Sequence, residues 1–241
     1  LCHSGLPIHT TWPKRNASGG KPETMARVLI GCETSGIVRD AFLSAGHDCW
    51  SCDVLPSDTP SNRHIQDDVR NVMNYERWDF MAVMHPPCTR LCNSGVRWLH
   101  KPPEGKTLDQ MWRDLDEGCA LFSDVWNADI PLIAVENPIM HKYAKERIRN
   151  FEEPHQKVQP WEFATSDASP DNVTKKTCFW LKGLPLLTLT GTVDGSTARD
   201  ECHKATPSPD RWKIRSKFYS GIASAMADQW GAFAQASPAL A

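Results

Sequence analysis

The stretch "HPPC", residues 85–88, sets two prolines ahead of a cysteine. Two prolines fix φ twice and remove two backbone donors, so Cys88 is presented by a stiffened loop from which a thiolate can attack an electron-poor ring carbon. In "AVENP", residues 134–138, Asn137 and Pro138 place the Glu136 carboxyl on a turn, where it can hydrogen-bond a base edge. A loop of mostly small residues, Cys32, Glu33, Thr34, Ser35 and Gly36, lets backbone approach a ligand. Gly31 and Gly36 alone make no G-x-G-x-x-G fingerprint, so an ordinary strand-to-helix turn is the competing reading. Asp53 closes a second apolar stretch, a position from which an acidic side chain holds ribose hydroxyls.

Other reactive residues have plainer readings. Cys49-x-x-Cys52 and Cys88-x-x-x-Cys92 have zinc-like spacings, and His85 and His203 can be added to them. A three-residue offset within a strand sends Cys49 and Cys52 to opposite faces, and no second C-x-x-C completes a ligand set. Packing is therefore expected and metal is not. Cys92 reads as loop packing, and Cys32, Cys119 and Cys178 sit in apolar contexts typical of core. For Cys88 taken alone, packing competes evenly with nucleophilic attack. His141, Lys142, Lys145, Arg147 and Arg149 read as a solvated helix face, with phosphate contact as the alternative. Arg211 and Lys213, with Arg215 and Lys217, adjoin the expected cleft and are the better phosphate candidates.

The elements that must position these residues alternate. "ARVLIG" is a buried strand, and Ile37, Val38, Ala41, Phe42 and Ala45 share one face of a helix that Gly46 stops. "HDCWSCDV" is a second strand ending at Asp53, "WDFMAVMH" a third ending at His85, and "PLIAVENP" a fourth ending at Pro138. Leu108, Met111, Trp112, Leu115, Cys119, Phe122 and Trp126 recur at helical spacing between the last two. A charged helix at "HKYAKERIRN", strands at "HQKVQPWEF" and "KKTCFWLKG", and a closing helix with Ile222, Met226 and Trp230 on one face complete the pattern. This is the grammar of a doubly wound α/β sheet, whose ligands collect outside the carboxyl ends of the strands.

The 241 residues suit one domain, with 40% hydrophobic content and ten tryptophans to build a core. Residues 1–24 show no periodicity and read as an upstream extension before Met25; 25–233 is the expected catalytic domain, and 234–241 a flexible tail. No apolar run nears the roughly 18 residues of a membrane span, and the opening residues lack the order of a signal peptide. A cytoplasmic monomer is expected. Nine cysteines, an odd count without a secretion signal, read as free thiols. A net charge of -2 does not announce a nucleic-acid binder, so any such role must rest on local basic patches.

With "PPC" and "ENP" at expected strand ends and in that order, the sequence resembles the DNA cytosine-5 methyltransferases, especially the short versions common in phage genomes. The resemblance runs from about Met25 to Gly231 and implies a Rossmann-like, S-adenosylmethionine-dependent methyltransferase fold in a single domain, in the host cytoplasm if phage-borne. It implies that Pro87 and Cys88 form the nucleophile loop, with Pro86 beside the cofactor, and that Glu136 and Asn137 hold the target cytosine. It places the methionine part of S-adenosylmethionine on Cys32 to Gly36, the ribose on Asp53 and the adenine on Asp68, with Asp67 as the alternative. "TKKTCFWLKG" is similar to the family's basic motif and implies that Lys175 contacts the base, although Lys175-Lys176-Thr177 replaces the usual Arg-x-Arg and lysine lacks the planar fork. Cys-Glu-Thr-Ser-Gly stands for the usual Phe-x-Gly-x-Gly, and Ser220-Gly221 for Gly-Asn.

The stretch between Lys182 and Arg211 is shorter than the about 50 residues a separate recognition domain needs. Sequence selectivity is therefore expected to be short or relaxed and to come from loops such as Asn93 to Lys106, including Ser94 and Arg97, and Thr188 to Asp210. "NSGVRW", residues 93–98, reads as a mobile segment closing over a flipped base. The implied activity is carbon-5 methylation of cytosine in DNA through a covalent cysteine adduct. One-carbon transfer to free cytosine nucleotides, or a non-catalytic module binding cofactor or nucleic acid, are the alternatives.

Overall fold

Arg27–Gly31 forms β1, buried at all five positions, as a strand covered on both faces must be. Val28 and Ile30 point into one apolar layer, and Leu29 into the other. The computed structural model describes residues 25–84, 86, 88–204, 206 and 218–237. Its strands are β1, β2 (Asp48–Asp53), β3 (His64–Gln66), β4 (Phe80–Val83), β5 (Leu132–Asn137), β6 (Gln156–Val158) and β7 (Thr177–Lys182). They form one seven-stranded sheet in the order β3-β2-β1-β4-β5-β7-β6. The first five pair in parallel, and β7 runs antiparallel to both of its neighbours. This is the doubly wound, Rossmann-like α/β fold that the alternating pattern predicts.

One layer holds α1 (Ile37–Ser44) and the closing helix α6, which begins as Ser220–Ala225, widens into a π turn at Met226–Gly231 and ends at Ala232–Ala236. Trp230 is fully buried there and meets Phe80 and Phe179 edge to face at 6.1 and 5.5 Å. The other layer holds α2 (Val69–Val72), α3 (Leu108–Trp126) and α4 (Lys142–Lys145). Thr107 caps α3 by accepting from Gln110 N–H at 3.2 Å. The predicted apolar stripe then buries Met111, Leu115, Cys119, Phe122 and Trp126. Burying a Leu, Met or Phe side chain of this kind contributes about 1.5–3 kcal/mol. A further short helix, α5, spans Glu201–Lys204.

Three expectations change. The strand at "WDFMAVMH" is the fourth rather than the third, because the three-residue β3 is too short to show periodicity. "HQKVQPWEF" is a strand only at Gln156–Val158: Pro160 lacks an N–H for the ladder, and Pro160–Phe163 turns into a 3-10 helix closed by a Gln159/Glu162 capping box. The charged helix at "HKYAKERIRN" is limited to α4, after which the chain turns through Glu146–Asn150. Cys49 and Cys52 do face opposite layers, and no group of metal-ligating side chains occurs among the described residues. Among those residues, no helix is long and apolar enough to cross a membrane.

Candidate active site

The carboxyl ends of β1, β2, β4 and β5 open on one rim of the sheet. Because β7 runs the other way, its beginning reaches that rim, with Cys178 opposite Asn137 and Phe179 opposite Glu136. Lys175, just ahead of β7, is thereby delivered beside residues nearly forty positions earlier in the chain. The order β2-β1-β4 also places the topological switch point between β1 and β4, where open α/β sheets hold their ligands.

On the β1 side the loop is held by its own polar groups. Glu33 is fully buried, and its carboxylate accepts from Val38 N–H at 2.7 Å and Arg39 N–H at 3.2 Å, satisfying the start of α1. The Ser35 hydroxyl donates to the same carboxylate at 3.2 Å. Thr34 donates to Asp58 Oδ2 at 3.0 Å, and its carbonyl accepts from the Ser57 hydroxyl at 3.2 Å. Gly36 takes φ 75°, a left-handed value suited to glycine. Burial, with the Asp53 and Asp68 carboxylates nearby, pushes the Cys32 thiol far above its ordinary range. Cys32, Asp53 and Asp68 thus share one corner of the rim.

The two adjacent aspartates differ in how they are occupied. Both oxygens of Asp68 accept from the Arg70 guanidinium, the shortest bond being 2.6 Å, and this pairing lowers the carboxyl's pKa. Asp67 accepts from the Tyr75 hydroxyl and from Asn71 Nδ2, with the same effect in that order of size. Asp53 spends Oδ1 on Leu55 N–H at 2.9 Å, and its Oδ2 has no partner among the described residues.

Across the switch point, Pro86 is buried and Cys88 half-buried; His85 and Pro87 lie outside the described residues. Cys88 opens a turn in which its carbonyl accepts from Leu91 N–H at 2.9 Å and Cys92 N–H at 3.0 Å. The Cys88 thiol lies near Cys92, Glu136 and Lys175. The neighbouring Cys92, burial and the Glu136 carboxyl push Cys88 above the ordinary thiol range, while Lys175 pulls the other way. Glu136 is 4% exposed, and Lys175 Nζ stands 5.8 Å over the Tyr219 ring. Asn137 is fully buried, and neither end of its carboxamide has a hydrogen-bond partner among the described residues. Cys88, Glu136 and Lys175 are therefore neighbours at this rim.

Asn93, Ser94 and Arg97 are exposed next to this turn, and Arg97 stacks on Trp98 at 4.2 Å. The segment read as mobile holds a 3-10 helix at Val96–Leu99, with Leu99 buried against the α3 layer. Arg211 and Lys213, and the Arg215 and Lys217 grouped with them, lie outside the described residues. In the other basic group, Lys145, Arg147 and Arg149 pair with Glu153, Asp116 and Asp124, but the expected solvated helix face is not continuous: His141 is buried at the cap of α4, and Arg147 and Arg149 lie in the turn beyond it.

One contributor escaped the sequence reading: Asp171 accepts from the Ser220 hydroxyl and Gly221 N–H, each at 2.9 Å, and so fixes the start of α6 and Tyr219 before it.

No protein-family model matches the chain, and no curated protein matches it. Among solved structures it is similar to an E. coli protein described provisionally as a DNA modification methyltransferase encoded within a prophage, at 16% identity and a TM-score of 0.36. The alignment covers 64% of this chain and 45% of that one, so the chain spans under half the length of that protein. At this similarity the likeness decides nothing about activity.

Proposed function

We propose that the chain is an S-adenosylmethionine-dependent methyltransferase acting on carbon-5 of cytosine in DNA, with short or relaxed sequence selectivity. The observation that carries the reading is the meeting of Cys88, Glu136 and Lys175 from three separate parts of the chain at the carboxyl rim of a Rossmann-like sheet. The buried, unpartnered carboxamide of Asn137 supports it, because such a group costs about 1–3 kcal/mol unless a ligand or water satisfies it.

Cys88 adds through sulfur to carbon-6 of cytosine, which makes carbon-5 nucleophilic. Glu136, in its acid form, hydrogen-bonds the ring nitrogen and draws off the developing charge, while Lys175 contacts the base. Loss of the carbon-5 proton and expulsion of Cys88 then restore the ring. Carbon-6 is out of reach in a stacked duplex, so the base must leave the stack, at a cost of a few kcal/mol. Asn93, Ser94 and Arg97, exposed beside Cys88, suit contact with the surrounding strand.

The residues fit the cofactor. Asp53 keeps Oδ2 for a ribose hydroxyl at the end of β2, and Gly36 sits in the left-handed turn where α1 begins. Cys32, Glu33, Thr34, Ser35 and Pro86 would line the rest of that site. Asp68 would have to share its oxygens with Arg70. When bound, the cofactor supplies the methyl group.

DNA carrying 5-fluorocytosine tests the reading, because the fluorine cannot leave to complete the reaction. Incubated with S-adenosylmethionine, the protein should form an adduct that survives denaturation and is missing in Cys88→Ser. No adduct with the folded wild type, or an adduct that persists in the variant, would overturn it. Labelled methyl appearing only in deoxycytidine monophosphate, and not in duplex DNA, would transfer the activity to free nucleotides.

A further inference from the structure

Just beyond Glu136 and Asn137 the chain passes against the Cys88 turn and fastens it. Asn93 N–H donates to the Ile139 carbonyl at 3.2 Å, Cys92 and Met140 form an isolated antiparallel bridge, and His141 N–H donates to the Leu91 carbonyl at 3.0 Å. The His141 side chain adds a further bond to the same turn. Its residue is 5% exposed, and the two ring nitrogens are spent in different directions. Nδ1 accepts from Ala144 N–H at 3.2 Å, alongside the His141 carbonyl at 3.1 Å, and so caps α4. The neutral ring therefore carries its hydrogen on Nε2, which donates to the Arg90 carbonyl at 2.5 Å. A proton on Nδ1 would set donor against donor at Ala144, so the two partners select one tautomer. The Tyr143 ring meets His141 edge to face at 5.8 Å and packs against Trp112 at 5.4 Å, which ties the imidazole to α3.

What the ring holds is a tight unit. The Cys88 carbonyl accepts from both Leu91 and Cys92 N–H, and a Cβ on Gly95 would lie 1.8 Å from the Thr89 carbonyl oxygen, so the segment has little slack in which to deform. Arg90 is also anchored by its guanidinium, which lies 3.5 Å from Asp114 of α3. A unit of this kind moves as a body. A bond at Arg90, two positions from Cys88, thus helps to set where the thiol stands relative to Glu136 and Lys175.

We infer that His141 is a positioning residue for the nucleophile: its Nε2–H tethers the Cys88 turn to the exit of β5, so that the thiol and the Glu136 carboxyl are held in one frame. Capping α4 uses only Nδ1 and does not call for the second bond. That the tethered thiol attacks cytosine rests on the function proposed above, whereas the tether does not.

Two substitutions separate the bonds of the ring. The amide oxygen of His141→Asn stands where Nδ1 stands and keeps the cap, while nothing is left to reach the Arg90 carbonyl. The longer amide of His141→Gln brings an N–H to the place of Nε2 and keeps the tether. Amide hydrogen exchange, read by peptide mass spectrometry without DNA or cofactor, should speed up about tenfold or more over residues 89–93 in His141→Asn and stay unchanged in α3. In His141→Gln it should remain within about threefold of the wild type. Methyl transfer by His141→Asn should show kcat lowered about tenfold with KM for DNA unchanged, and His141→Gln should retain the wild-type kcat. Wild-type exchange or wild-type kcat in folded His141→Asn, or equally fast exchange in both variants, would overturn the inference. Should His141→Asn not fold, His141→Gln decides: slow exchange over residues 89–93 upholds the tether and fast exchange sinks it. Absence of the 5-fluorocytosine adduct would strike the cytosine reading and leave the exchange result standing, which keeps the two claims distinguishable.

Discussion

Glu136 is nearly sealed from solvent, yet its carboxyl acts on two sulfurs, those of Cys88 and Cys178. A carboxyl in that position suits the transfer of a proton or a charge-assisted bond to a substrate more than it suits packing. Glu136→Gln preserves shape and hydrogen bonding and cannot act as an acid. Methyl transfer should fall by about 10²-fold or more with an unchanged circular dichroism spectrum. Cys88 and Glu136 were legible in the sequence because each stands in a short run whose prolines declare a loop or turn at a strand end. The cradle of the Glu33 carboxylate was not, because two of its partners are backbone N–H groups, which have no letter of their own.

The loop between β1 and α1 depends on Gly36 in two ways. Its φ of 75° disfavours any side chain, and a Cβ there would lie 2.2 Å from Arg39 Nη2, inside the buried guanidinium. Gly36→Ala should cost about 1–3 kcal/mol. At about 2–4 °C per kcal/mol for a chain of this size, differential scanning calorimetry should register the loss as a lowered Tm. The longer elements were readable from periodicity: β1, β2, β5, β7, α1 and α3 all fall where apolar spacing puts them. The three-residue strands β3 and β6 were lost or overextended, since so few residues cannot establish a period and their pairing is decided by neighbours distant in sequence. The reversal of β7 was equally hidden, because strand direction depends on the path of the connection and not on the residues of the strand.

At the scale of the molecule, the first and last helices are joined through His47. Its ring lies 5.6 Å from that of Phe42 and donates to the Ala227 carbonyl, inside the π turn of α6. Gly231 in the same turn admits the ring, since a Cβ there would lie 2.2 Å from His47 Nε2. Burial lowers the pKa of His47 despite the carbonyl, so the fold favours the neutral ring. The sign follows from that: the contribution is complete above the unfolded pKa of about 6.5 and is lost as pH falls below it, where the unfolded chain binds the extra proton. Thermal melts of the wild type should therefore decline from about pH 6.5 downward, and His47→Asn should flatten that part of the profile.

The contact between α1 and α6 also has a consequence during biosynthesis. α1 and the inner strands β1 and β4 leave the ribosome well before α6, yet Val38, Phe42 and Phe80 share their layer with Ile222, Met226 and Trp230. Until synthesis reaches α6, the nascent chain carries an uncovered apolar face of its own sheet, a surface for chaperones to shield. The turn that carries Cys88, by contrast, adjoins the opposite layer, whose α2, α3 and α4 have all been made by then. That turn can thus be in place before the other face of the sheet is closed.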